Sequence, residues 1–296
     1  MRLSLALFFI LLSNIISFPL KTIDHSNDYF IMTAPSWHPG FFSNFQAVVG
    51  FLDFYEKNPC AGIKVTFGDG LYFDAKVGPN WWEYYFEPIE IGSSQNARTL
   101  FVGDSEKSVW ATAAISTIPR QEAGRLIKKY IKLKPHIVEK INKFVAKKFD
   151  QTCTIGIHYR GTDKVAWKEA PRVPYPTVVQ AIKAFLKQNK PQSYKIFVAT
   201  DEQPLITYLR SKFPSGTLVY LNALRSSNRK PIHYNQIYRY RQGEESVIDC
   251  FLLSRCTVLM KTHSNLSSSA GNINPEIPII NLSHATYCPS LRKIFR

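Results

Sequence analysis

The chain lacks the marks of a metal-dependent or disulfide-framed protein. Its cysteines (Cys60, Cys153, Cys250, Cys256 and Cys288) are odd in number and scattered, with no C-x-x-C pair and no histidine at ligand spacing, so neither a zinc site nor a disulfide framework is visible. No Asp-x-Asp pair stands at a strand end, where a carboxylate pair would hold a divalent cation against phosphates. Beyond residue 18 no apolar stretch approaches the length of a membrane span. Acidic residues are scarce: 22 Asp and Glu stand against 37 Lys and Arg, a net charge of +15. That excess hints at an anionic partner, but solvated lysines on exposed helix faces account for it more simply.

What is present supports a folded α/β chain. With 296 residues, 45% of them hydrophobic and 14% aromatic, the chain can fill one large core or two ordinary ones. The N-terminus MRLSLALFFILLSNIISFPLK has an early arginine and an apolar run over 3–18, which predicts a signal peptide or signal anchor over 1–21, without a clear A-x-A cleavage site. Next come a strand over 29–33, a loop with Pro35, Pro39 and Gly40, and a helix from about residue 43. Its Phe45, Val48, Val49, Leu52 and Tyr55 recur at three and four. The stretch IKVTFGDGLYF predicts two short strands around the turn Gly68-Asp69-Gly70. PNWWEYYFEPI could be core or a sugar-stacking surface, and core packing is the simpler reading.

Over 125–149 two amphipathic helices flank Pro135, their lysines mostly off the apolar stripes. No aromatic interleaving or recognised motif accompanies them, which speaks against nucleic acid as partner. From there, apolar strands at TIGIHYR, YKIFVAT, TLVYL, TVLMKT and IPIINL alternate with helices near 177–188, 203–212 and 244–255. This is the pattern of a parallel sheet covered on both faces, whose ligands bind at the carboxyl ends of the strands.

Chemistry-bearing residues gather at those ends. His158, Arg160, Asp163 and Lys164 follow the first of these strands, Asp201 ends the second, and Thr262, His263, Ser264 and Asn265 end another. The last group precedes a serine-rich helix start whose free N–H groups suit phosphate. Asp249 lies among apolar neighbours inside ESVIDCFLLSRC and needs a partner. Taken singly, each has an ordinary explanation: a helix cap for Asp201, a helix-start serine, a buried hydrogen bond for Asp249. Their recurrence at one sheet edge points to a shared nucleotide-sugar site.

The motifs IGIHYRGTDK…EAP, IFVATDEQP and ESVIDCFLLSRCTVLMKTHSN resemble, in order and spacing, those of the fucosyltransferase superfamily, which includes α-1,6-, nodulation and protein O-fucosyltransferases. PGFFSNFQAV resembles, more loosely, that family's glycine-asparagine loop, which would bring Gly40 and Asn44 to the donor. The resemblance implies two Rossmann-like domains facing a cleft (the GT-B type of α/β fold). It divides the chain into an acceptor-side domain over 22–150 and a GDP-sugar-binding domain over 151–296. It implies inverting, metal-independent transfer of a sugar, most simply fucose, from a GDP-sugar to a glycan or protein hydroxyl.

Residue by residue, the resemblance puts Arg160 on the leaving phosphate, His158 on the nucleotide and Asp249 on guanine. Ser264 falls at the phosphates, with Thr262, Lys164 and Asp201 in the donor site. Glu169 is the first choice of general base and Asp163 the second. Gly161 departs from the α-1,6 enzymes, which carry a second arginine there, so donor sugar and acceptor stay open. Another nucleotide sugar, or an inactive carbohydrate-binding relative, are the alternatives. The N-terminal segment suggests the secretory pathway or a membrane anchor, facing the cytoplasm in a bacterium.

Overall fold

The computed structural model describes residues 24–35, 39–103, 118–149, 153–166, 170–230 and 238–285. The N-terminal segment read as a signal therefore lies outside the described residues, and among the described residues no helix is long and apolar enough to cross a membrane.

Two sheets organise the chain. The first has β1 (Asp28–Met32), β2 (Gly62–Val65), β3 (Glu90–Gly92) and β4 (Arg98–Val102) in the order β3-β2-β1-β4, with only β3 antiparallel. Between β1 and β2 runs α1 (Phe41–Lys57), two residues earlier than its apolar spacing predicts. Phe45, Val48, Val49 and Leu52 are all buried, as their spacing requires.

The expected second strand after Gly68-Asp69-Gly70 does not form. Tyr72 explains why: its hydroxyl accepts the Phe41 N–H at 3.0 Å and its ring meets the Phe41 ring edge-on at 5.1 Å, which draws the segment onto the start of α1. The free edge of β2 is taken by β3 instead. The aromatic run resolves as core. Trp81, Trp82, Tyr85 and Phe86 are at most 1% exposed, around a single 3-10 turn (Trp81–Tyr84), and so do not form a stacking surface.

Helices α2 (Arg120–Tyr130) and α3 (Pro135–Lys148) follow, broken before Pro135 as the sequence predicts. The second sheet comprises β5 (Cys153–Tyr159), β6 (Tyr194–Thr200), β7 (Leu218–Val219), β8 (Val258–Lys261) and β9 (Ile279–Asn281). It is parallel throughout and ordered β7-β6-β5-β8-β9. Its helices are the short α4 (Asp163–Ala166), then α5 (Tyr175–Asn189), α6 (Gln203–Arg210), α7 (Arg239–Leu253), α8 (Asn265–Ile273) and α9 (Leu282–Ala285).

Alternate strand residues enter different cores. Ile155, Ile157, Ile196 and Val198 join Val178, Ile182, Leu205 and Leu209 of α5 and α6. Phe197, Ala199 and Leu259 join the larger core, which includes α7 and the aromatic cluster of the first half.

Helix α7 begins five residues before the predicted start near 244. Tyr240 accounts for the extension: its ring stacks on Tyr85 with centroids 5.5 Å apart, and its carbonyl accepts the Tyr85 hydroxyl at 2.8 Å. Gly243, one turn on, leaves room for the Tyr85 ring, against which any Cβ there would collide. The aromatic core of the first half thus sets the position of α7.

Candidate functional site

Strand order reverses between β5 and β8, the switch point at which parallel sheets of this kind hold ligands. His158 and Lys261 are register partners there. Past them the chains cross-link: Thr262 N–H donates to the His158 carbonyl at 3.0 Å, and the Thr262 hydroxyl accepts the Arg160 N–H at 2.8 Å. Arg160 Nε lies 3.3 Å from Oδ2 of Asp201 at the end of β6. The same carboxylate accepts the Gly161 N–H at 3.1 Å and the Thr162 hydroxyl at 2.6 Å. Asp201 is therefore no helix cap: the cap position of α6 belongs to Glu202.

These strand ends form one wall of a cavity open to solvent, lined by His158, Arg160, Thr200 and Asp201. The facing wall is α7, through Gln242, Glu245, Ser246 and Asp249, with Leu224 and Leu266 at the margins. The three other α7 residues precede Asp249 by seven, four and three positions, which is one face of a helix.

The Asp249 carboxyl is 9% exposed and its Oδ1 has no hydrogen-bond partner. Burial pushes its pKa up to about 7, against the opposing pull of the Arg225 cation. Arg225 donates to the carbonyls of Leu221 at 2.8 Å and Ala223 at 3.3 Å, and its own burial lowers its pKa. His158 is fully enclosed: burial, then the charges of Arg160 and Lys261, depress its pKa to about 3, so the ring is neutral. A neutral imidazole, a guanidinium and an under-partnered carboxyl thus share one cavity. Such a site offers a cation to a phosphate and an acceptor to an N–H-bearing base.

Helix α8 points its N-terminus from the same strand end. Its cap, Ser264, is buried and makes no side-chain capping bond, leaving first-turn donors for a ligand. Lys261 donates to the Ser268 hydroxyl at 2.9 Å, which in turn donates to the Ser264 carbonyl at 3.0 Å. Burial, then the Arg120 charge, lowers the Lys261 pKa to about 8.

The first half approaches here through α1, where Gln46 donates to the Asn265 carbonyl at 3.3 Å. Gly40 is the exposed cap of α1, with no atom within 4 Å of where a Cβ would stand. Asn44 is buried, donates to the Pro39 carbonyl at 3.1 Å, and keeps a buried Oδ1 without a partner.

Of the residues singled out by sequence, the cavity brings together His158, Arg160, Asp201 and Asp249. Thr262 and Ser264 join them at the ends of β8 and α8, while Gly40 and Asn44 stand on α1. Asp163 and Lys164 open α4, and Glu169 lies outside the described residues. Gln242, Glu245 and Ser246 are not among them, and the local signal for them is no more than their helical spacing from Asp249. Among the described residues no cluster of His, Cys, Asp and Glu suits a metal ion.

Residues 61–270 match the model of the nodulation protein Z (NodZ) family. The chain belongs to the NodZ family. It is a fucosyltransferase-like glycosyltransferase with the α/β GT-B architecture of two Rossmann-like halves.

Its NodZ-like fold is similar to that of a NodZ α-1,6-fucosyltransferase soaked with GDP-fucose, at TM-score 0.56 and 15% identity over 83% of this chain and 92% of the other. The fucosyltransferase NodZ from Bradyrhizobium gives 0.53 and 17% over 82% and 91%. POFUT1 in complex with GDP gives 0.52 and 10% over 86% and 99%. No curated protein matches the chain.

Proposed function

We propose that this NodZ-family enzyme transfers fucose from GDP-fucose to a glycan or protein hydroxyl, with inversion and without a metal. The observation that carries the reading is that Arg160 and Asp249 both line one cavity at the switch point. The Asp249 carboxylate accepts guanine N1–H and its 2-amino group together, and His158 contacts the nucleotide. Arg160, with its bidentate fork, meets the charge that develops on the β-phosphate, aided by Ser264, Thr262 and the N-terminus of α8. Asp201 acts by holding Arg160. Lys164 belongs to the same donor site, and Gly40 and Asn44 approach it from α1. Glu169, or failing it Asp163, removes the acceptor proton. Solved structures of similar fold, a NodZ α-1,6-fucosyltransferase soaked with GDP-fucose and POFUT1 in complex with GDP, support the choice of donor. We place the enzyme in the secretory pathway or on a membrane through residues 1–21, cytoplasm-facing in a bacterium.

The test is GDP release from a panel of GDP-sugars, with and without EDTA, followed by NMR assignment of the product anomer. GDP-fucose should be turned over fastest, EDTA should leave the rate intact, and the product should be the inverted anomer. A faster GDP-mannose reaction would move the protein to another donor. Loss of activity in EDTA, restored by manganese, would overturn the metal-independent mechanism. Absence of turnover with every GDP-sugar would favour an inactive carbohydrate-binding relative.

A further inference from the structure

We propose that Arg172 is a positioning residue for the donor site: clamped on the buried carboxylate of Glu202, it holds the Gly161 carbonyl and fixes the turn from which Arg160 reaches the cavity. The inference rests on the reading that Arg160 meets the β-phosphate.

Glu202 is fully buried and occupies the cap position of α6, yet its side chain makes no capping bond. It faces β5 instead. Its Oε1 accepts Arg172 Nη1 at 3.0 Å, and its Oε2 accepts the Tyr175 hydroxyl. Arg172 Nη2 donates to the Gly161 carbonyl at 2.7 Å. The N–H of Gly161 is held by Asp201. Consecutive carboxylates at the end of β6 thus grip the two polar groups of Gly161, one directly and one through Arg172.

A second tie lies beside the first, since the Tyr159 hydroxyl donates to the Val173 carbonyl at 2.6 Å. Gly161 must be glycine for this arrangement. A Cβ there would drive into the Glu202 carboxylate and the Tyr159 ring, both of which are buried. The turn carrying Arg160 is therefore built around the Arg172–Glu202 pair, and removing Arg172 alone would strand a buried charge. A fair test removes both charges together.

GDP and GMP are titrated calorimetrically into wild type, Arg172→Lys and the double variant Arg172→Met/Glu202→Gln, well below each melting temperature. The double change is repeated in an Arg160→Met background. GMP lacks the β-phosphate, so positioning of Arg160 predicts weaker GDP binding with GMP binding unchanged. The expected loss is about tenfold, the scale of one charge-assisted hydrogen bond. Arg172→Lys should fall between, because one ammonium cannot bridge both acceptors in the same geometry. Without Arg160 the double change should cost nothing further.

Unchanged GDP affinity in the folded double variant, an equal loss for GMP, or a full additional loss in the Arg160→Met background would each overturn the inference. Wild type that is folded but fails to bind GDP would overturn the donor reading itself, and this inference with it.

Discussion

Arg160 and Asp201 form an ion pair across the carboxyl ends of β5 and β6, with Nε 3.3 Å from Oδ2. The carboxylate side chain is 3% exposed and the guanidinium 24%, so the anion is the buried anchor and the cation the presented group. An anchor that also fixes the Gly161 N–H and the Thr162 hydroxyl leaves the Arg160 backbone little freedom. Preorganisation of this kind is what charge stabilisation in a transition state requires.

Arg160→Lys should therefore lower kcat by about 10²–10³, the usual cost of losing an oxyanion-type donor, because a point charge cannot reproduce the paired hydrogen bonds. Asp201→Asn should cost less, about 10- to 100-fold. It weakens one charged hydrogen-bond set worth about 1.5–3 kcal/mol without removing the guanidinium. Steady-state kinetics on both variants, checked for folding by circular dichroism, decides the order. A larger loss for Asp201→Asn would mean that Asp201 has a role beyond holding Arg160.

The buried carboxyl of Asp249 makes donor binding pH-dependent with a definite sign. Its pKa in the empty protein, raised to about 7, means that the acid form dominates below neutrality, while guanine's two donors need the ionised form. GDP affinity should rise up to about tenfold per pH unit from pH 5.5 toward 7 and then level off, with a proton released on binding below neutrality. The neutral His158, with its pKa near 3, does not titrate in this window. Lys261, lowered by burial to about 8, loses its charge only on the alkaline side and so does not shape this limb. For the apo protein the sign reverses: stability favoured by the protonated acid is lost as pH rises through about 7, so GDP should raise Tm more at pH 8 than at pH 5.5. Asp249→Asn should weaken GDP binding by about 1–3 kcal/mol and flatten the acid limb. Calorimetry across that range, in buffers of different ionisation enthalpy, checks both. An acid limb that survives in the Asn variant would assign the titration to another group.

How much of this was legible in the sequence depends on the range of the contacts involved. The strand ends bearing His158, Arg160 and Thr262 announced themselves by apolar alternation that stops in a polar cluster, and Asp249 by being the odd carboxylate on an apolar face. Gln242, Glu245 and Ser246 carry no such mark, because they lie in the polar stretch RYRQGEES, where a solvated helix start explains them equally well. The false strand at 71–73 arose because local alternation cannot show that Tyr72 is anchored to Phe41, 31 residues away. The pairing of Arg172 and Tyr175 with Glu202 crosses 30 and 27 positions. Nothing local marks it, apart from a glycine that follows the key arginine.

The junction between Tyr85 and Gly243 gives a packing test at a distance from the chemistry. Tyr85 is fully buried, donates to the Tyr240 carbonyl, and occupies the space a side chain on Gly243 would need. Gly243→Ala improves intrinsic helix propensity by about 1 kcal/mol, which would stabilise α7 if packing were indifferent. The ring cannot retreat, since it is wedged among Phe41, Tyr84 and Tyr240. Overpacking should then win at about 1–3 kcal/mol and displace the helix bearing Asp249. The expected outcome is a lower Tm together with weaker GDP binding, whereas Gly243→Ala combined with Tyr85→Leu should recover much of both. Denaturation and GDP titration of the three proteins measure it. A Gly243→Ala protein more stable than wild type would show that the aromatic core does not set the position of α7.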